Sequence, residues 1–301
     1  MAFGLYIHFP FCRHQSAYRD FNAVRYDPGL EKLFYEALTI ETDLVAQAYR
    51  DYDNQIGTVY IGGGTPSLTN LELFRNWLEQ VRQLFAAGER VEFSFEISPE
   101  SCSRELLQAL LEFGVNRPVF GVQSFDARLL KLLGRKHTVH QVHEAIYYAN
   151  ALGFENYGCD LLYGLPGQTA KKLSDDLDQM TDLDPPHVSF NQLRIEPGTK
   201  LAEMIDLGNT KKPDQDFVRK LYQAGSEHFT EHGYERYEDG LFAKPPHECR
   251  YDMNVSNGGY FVGLGPSARS LMNGKRYANV ANLHEYLNVL KSGRRPIIEN
   301  R

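Results

Sequence analysis

The 301-residue chain has no hydrophobic run of membrane-spanning length, four scattered cysteines and no excess of basic charge. A membrane-spanning helix needs about 20 consecutive apolar residues, so that class is excluded. The N-terminus enters a strand-like pattern directly instead of a charged and then apolar leader. Cys12, Cys102, Cys159 and Cys249 stand too far apart for a secreted disulfide framework, and a cytoplasmic location is expected. With 32 basic against 39 acidic residues the net charge is −7, and no basic run or aromatic-plus-arginine cluster offsets it. That balance argues against nucleic-acid binding through phosphate contacts. Gly/Ser linkers, low-complexity tracts and internal repeats are also missing.

What is present is a regular rhythm. Apolar residues make up 42% of the chain and charged residues 24%, enough for a sizeable core under a polar surface. Short β-branched or aromatic runs occur at 4–9, 57–63, 91–98, 117–124, 157–165 and 187–195. Helix-period segments lie between them at 28–50, 70–86, 103–113, 139–152 and 170–182. Six strand–helix units at a spacing of roughly 30 residues predict an α/β fold, a parallel sheet with crossover helices. Thr138 followed by Gln141 is a capping box that starts the helix at 139.

After residue 200 the rhythm changes to a long helix over 213–232, hairpin-like runs "YERYEDGLFA" and "GGYFVGLGPSARS", and a last helix near 281–292. We therefore expect a barrel-type core over 1–200 and a small α+β accessory region over 201–301, packed on the barrel.

The unusual residues fall where strands end. Parallel β/α barrels carry their chemistry at the C-terminal strand ends. "YIGGGTPS" (60–67) ends a strand in three glycines, which permit positive φ and close approach of a ligand to the backbone. Its spacing does not match a dinucleotide fingerprint. Glu96, Gln123 and Asp160 close three further strands and suggest a polar ligand at one rim. His137, His140 and His143 read as a solvated first helical turn, and His228 with His232 as helix surface.

The run Tyr6-x-His8-x-Pro10-Phe11-Cys12, followed by "RHQSAYRDFN", resembles the cluster loop of radical S-adenosylmethionine proteins. The similarity is to the oxygen-independent coproporphyrinogen III oxidase-like branch, which includes heme chaperones. "GGGTPS", "GVQSF" (121–125), "LLGRKHT" (132–138), "DLLYGLPGQT" (160–169), "NQLRIEPGT" (191–199) and "GLGPSARS" (263–270) stand in that family's order. With no long segment ahead of the loop, the heme-chaperone side of the branch is the more similar. The resemblance implies a partial, six-stranded parallel β/α barrel and S-adenosylmethionine as cofactor. It further implies a 4Fe–4S cluster and, as cargo or partner, heme or a heme-receiving protein. Gly63, Gly64 and Thr65 would meet the methionine amino end of the nucleoside. Glu96, Gln123, Arg135 and Asp160 would face its sugar and carboxylate, with Tyr6 and His8 on the cluster side.

Two departures limit what is carried over. The family's loop is C-x3-C-x2-C, and here only Cys12 is present, with Ser16 and Arg19 in the other two places. A serine hydroxyl is a hard ligand of high pKa, and a guanidinium does not ligate iron. Cys12 is thus expected to be a vestigial ligand, with the cluster and its radical chemistry lost. The family's His-Asn-x-x-Tyr-Trp motif aligns with "CRYDMNVS" (249–256), where Tyr251, Asp252, Val255 and Ser256 replace its four fixed residues. Ser98 replaces an asparagine and Arg269 a histidine, and relatives usually continue beyond the position of Arg301. The sequence leaves the oligomeric state open.

Overall fold

The computed structural model describes residues 2–18, 23–50 and 55–299. The strands are β1 (Phe3–Phe9), β2 (Phe11–Cys12), β3 (Val24–Arg25), β4 (Gln55–Gly63), β5 (Ala86–Ile97), β6 (Arg117–Gln123), β7 (Gly158–Tyr163) and β8 (His187–Gln192). Six further strands follow: β9 (Glu235–Glu238), β10 (Leu241–Ala243), β11 (Phe261–Leu264), β12 (Arg269–Met272), β13 (Lys275–Asn279) and β14 (Ile297–Glu299). The helices are α1 (Pro28–Ala48), α2 (Leu71–Leu84), α3 (Arg104–Glu112), α4 (Ala127–Leu132), α5 (Val139–Ala151), α6 (Ala170–Asp182), α7 (Lys200–Asp206), α8 (Gln215–Glu231), α9 (Arg250–Ser256) and α10 (Leu283–Lys291).

Twelve strands form one sheet in the order β14-β13-β12-β11-β1-β4-β5-β6-β7-β8-β10-β9, while β2 and β3 pair separately. β1 and β4 to β8 run parallel, the six strands expected of a partial β/α barrel. A seventh joins them: β11 pairs parallel with β1, Leu5 opposite Val262. The run that contains it, hairpin-like in the sequence, does pair antiparallel with β12, and on its other side the apolar Val262 and Leu264 reach the core beside β1. At the other edge β10 pairs antiparallel with β8. The 201–301 segment therefore extends the sheet at both edges.

The strands alternate: on β5 Phe93 and Phe95 pack against Phe74 of α2, while Glu92, Ser94 and Glu96 point to the other face. Leu5, Val122, Leu161, Val188 and Phe190 are fully buried in one large core. Side chains start most helices: Asp27, Asn70, Ser103, Thr138 and Thr169 each accept a backbone N–H, worth about 1 kcal/mol apiece. A second, smaller apolar cluster gathers Ala17, Tyr18, Leu129, Leu133, Leu162, Leu165, Leu193 and Leu201. It seats the loop after β2 against α4 and α7.

Candidate functional site

The chain after β1 is held tightly on both sides of Cys12. Phe9, Phe11 and Phe34 pack edge to face with ring centroids 5.3 to 5.9 Å apart, each pair adding about 0.5–1.5 kcal/mol beyond burial. Downstream, Ala17 N–H donates to the Leu133 carbonyl at 2.9 Å and Leu201 N–H to the Ala17 carbonyl at 2.7 Å. "LLGRKHT" thus braces the loop from behind.

The glycines that end β4 dock on this segment. Gly64 N–H donates to the Phe9 carbonyl at 2.7 Å, and Thr65 N–H to the Phe11 carbonyl at 2.8 Å. Gly63 sits at φ +111, where a side chain is strained, and a Cβ on Gly64 would collide with the Phe11 carbonyl. A Cβ on Gly62 would stand 2.8 Å from the Glu96 carboxylate. Gly63 and Gly64 are therefore required by the chain's own packing, while a Cβ on Gly62 would displace the Glu96 carboxylate. Gly265, from the "GLGPSARS" loop, closes the opposite side: at φ +93 it lies flat on the His8 carbonyl, where a Cβ would clash.

These contacts leave a cavity of about 350 Å³ at the C-terminal strand ends. Tyr6, His8, Gly63, Gly64, Thr65, Glu96 and Arg135 line it, with Cys12 and Ser16 at the loop side. A shallow groove continues from Thr65, Glu96 and Arg135 to Gln123 and Asp160. All nine rim residues named from the sequence thus lie on one continuous surface. Arg19 lies outside the described residues.

The polar groups are oriented. Glu96 accepts from Tyr60 Oη and from Gly63 N–H, both at 3.2 Å. Tyr6 and His8 are joined through Oη and Nδ1 at 3.2 Å. Arg135 donates to the Gly121 carbonyl at 3.0 Å and to Ser98 Oγ at 3.3 Å, which aims its guanidinium along the rim. Gln123 holds φ +71, a strained position for a non-glycine residue and one found at ligand sites. Burial, aided by Glu96, pushes the Tyr60 hydroxyl well up, so it stays a donor.

Ser267, His14 and Gln15 also line the cavity and were not singled out from the sequence. Ser267 carried a signal, since it lies inside "GLGPSARS" and holds φ +62. The histidine trio divides. His137 is buried with Nε2 3.0 Å from the Val122 carbonyl, and burial with the nearby Arg135 pushes its pKa down to about 4. His140 faces outward toward Glu144 at 3.7 Å.

The match to proteins of known family agrees with this geometry. The model of the Radical SAM superfamily matches residues 6–180. The chain belongs to that superfamily. Heme chaperone HemW from Bacillus subtilis is 32% identical over 286 residues, covering 95% of this chain and 75% of that protein. HemW from Escherichia coli is 33% identical over 276 residues, 88% of this chain and 69% of that one. This radical SAM protein therefore stands in the HemW branch. The solved coproporphyrinogen III oxidase HemN from Escherichia coli superposes with a TM-score of 0.86 over all of this chain and 72% of that one. At 22% identity that likeness speaks for the fold.

For a radical SAM site, the two expected cofactors meet different fits. Oxygen acceptors at Glu96 and Asp160, a guanidinium at Arg135 and close backbone at Gly63–Thr65 suit a zwitterionic nucleoside. A cluster held by three thiolates does not match the donors present. Cys12 is 6% exposed, and burial with Glu100 nearby pushes its thiol pKa up, away from thiolate. Cys159 lies in the core of β7, Cys249 is enclosed at the start of α9, and Cys102 precedes α3. Among the described residues no group of three His, Cys, Asp or Glu is placed to hold a metal.

Proposed function

We propose that this protein binds S-adenosylmethionine or a related nucleoside at the rim, without a 4Fe–4S cluster and without radical chemistry. The observation that carries the proposal is the contrast at one cavity: a full polar rim faces a loop offering one thiol. Gly63, Gly64 and Thr65 would receive the methionine amino end, and Arg135 its carboxylate. Glu96, Gln123 and Asp160 would take the sugar hydroxyls, with Tyr6 and His8 lining the loop side. A bound cluster would supply the electron that cleaves the cofactor; one buried thiol gives it no seat. Residues 1–200 would act as the binding core, and 201–301 as the accessory region that adds Ser267.

The HemW relatives, heme chaperones by name, support heme, or a protein that receives heme, as the cargo, and the scattered free cysteines support a cytoplasmic setting. The aligned stretch 249–256 contains no histidine and encloses Cys249, so we do not assign heme ligation to it. The test measures iron and acid-labile sulfide per chain after anaerobic reconstitution, beside S-adenosylmethionine titration by calorimetry. We expect background iron together with saturable nucleoside binding. Four irons per chain would establish an active cluster with unforeseen ligands. Background iron with no nucleoside binding would leave a barrel without either cofactor. Installing cysteine at Ser16 and Arg19 together should restore cluster uptake if only the ligands are missing.

A further inference from the structure

A second, larger cavity of about 930 Å³ opens on the far side of the same loop. Its described lining carries Arg13, Arg25, Arg128, Lys131, Lys136 and Lys200, and among those residues no carboxylate. In a chain with 39 acidic and 32 basic residues this is a strong local excess of one sign. All six are exposed, and none joins an ion pair among the described residues.

Local stability does not account for them. Lys200 opens α7 and Arg128 stands in the first turn of α4, where a cation opposes the helix dipole and costs a few tenths of a kcal/mol. Arg128 and Lys131 are three apart on α4 and so share a face. Arg13 and Arg25 come to the cavity from either side of the 12–25 loop, one after β2 and the other in β3. Six like charges converging on one concavity repel one another, and an anionic occupant removes that repulsion. The volume lies in the range of a cofactor-sized ligand, larger than a single inorganic anion needs. The cleft meets the rim cavity along Cys12, His14, Gln15 and Ala23, which line both.

We propose that this cleft is a binding site for a small molecule carrying several carboxylate or phosphate groups, held beside the nucleoside rim. The site does not depend on whether the rim binds S-adenosylmethionine. Arginines present paired donors to carboxylate or phosphate oxygens, and the lysines add rotatable point charges. Because the cations are exposed, affinity falls as salt rises.

Calorimetric titration with two probes tests the proposal on the intact chain: tripolyphosphate, and 1,2,3,4-butanetetracarboxylate. One-to-one saturable binding of either is expected at low salt, weakening at physiological ionic strength. The better probe tells whether phosphate or carboxylate is the preferred group, and equal binding marks a general polyanion site. The pair Arg128→Glu and Lys131→Glu should weaken binding about tenfold or more. The control pair Lys211→Glu and Lys212→Glu, two exposed lysines outside the cleft, should leave it unchanged. Thermal unfolding of both variant pairs confirms that each still folds. If neither probe binds one to one, or the control pair loses as much affinity, the site is overturned, whatever acidic protein the surface retains.

Discussion

Two glutamates four residues apart on β5 show how differently one strand uses the same side chain at its two ends. Glu92, at the lower end, is 5% exposed and closed in by the chain. It accepts from Arg250 N–H at 3.0 Å, from Tyr251 N–H at 3.1 Å and from the Cys249 thiol at 3.6 Å, capping α9 inside the sheet's concave face. Arg117, 1% exposed, lies close by and hydrogen-bonds Ser94 Oγ at 3.3 Å. Burial opposes its charge, and the neighbouring anions more than offset that. Burial also pushes the Cys249 thiol well up, so the carboxylates of Glu92 and Asp252 are the anions that face Arg117. Glu96, at the upper end, has two partners of its own and still faces the rim cavity. Between them Tyr6, Tyr60 and Tyr251 fill the concave face, with Tyr60 and Tyr251 ring centroids 5.1 Å apart. A polar residue is structural where the chain encloses it and available where the chain stops short.

The sharpest way to break this comparison is Glu92→Ala. It would leave two buried backbone donors unmet and remove one of the two carboxylates that face Arg117, so a loss of about 3–5 kcal/mol is expected in urea unfolding. A loss under about 1 kcal/mol, within the range of surface substitutions, would mean that Glu92 neither caps α9 nor balances Arg117.

A third glutamate joins the two regions. Glu41, on α1, is 1% exposed and accepts from Gly265 N–H at 2.8 Å, Asn279 Nδ2 at 2.6 Å and Tyr286 Oη at 2.6 Å. It thereby holds the loop that bears Ser267. Burial raises its pKa from 4.5 to about 7, with the three donors pulling it back. The folded protein then keeps a proton that the unfolded chain gives up, so this contribution is full below 4.5 and is lost as pH rises through 7. Glu41→Gln should flatten that fall, by up to about 3 kcal/mol across the window. His137 works with the opposite sign: its depressed pKa withdraws stability as pH drops toward 4. The variant is therefore compared with the parent protein at each pH, and parallel stability curves would remove Glu41 as the titrating group.

The smallest change is expected at the rim. Glu96→Gln keeps the shape and removes the charge, so S-adenosylmethionine affinity should fall about tenfold while unfolding moves by less than about 1 kcal/mol. Asp160→Ala should behave alike. Unchanged affinity in both would remove these carboxylates from the site.

Much of the architecture could be read before any coordinates. All six core strands and five of the six helices between them stand where hydrophobic period and capping residues put them, because those signals are local; the short α4 was not among those expected. Cys12, Ser16 and Arg19 marked the altered loop once the family resemblance gave the three ligand positions, because ligand chemistry then needs no geometry. Ser267, His14 and Gln15 were less legible, since nothing in a single sequence says which loop folds over which strand end.

The sequence by itself determined the alternation of strands and helices, the glycines at the β4 terminus and the thiol count of the loop. Each follows from residue type and short-range spacing. Only the tertiary structure decided that β11 lies parallel to β1, that Glu92 is enclosed while Glu96 is open, and that six dispersed cations share one cleft. Those outcomes depend on contacts between residues far apart in the chain, which packing of the whole core selects and no local pattern encodes.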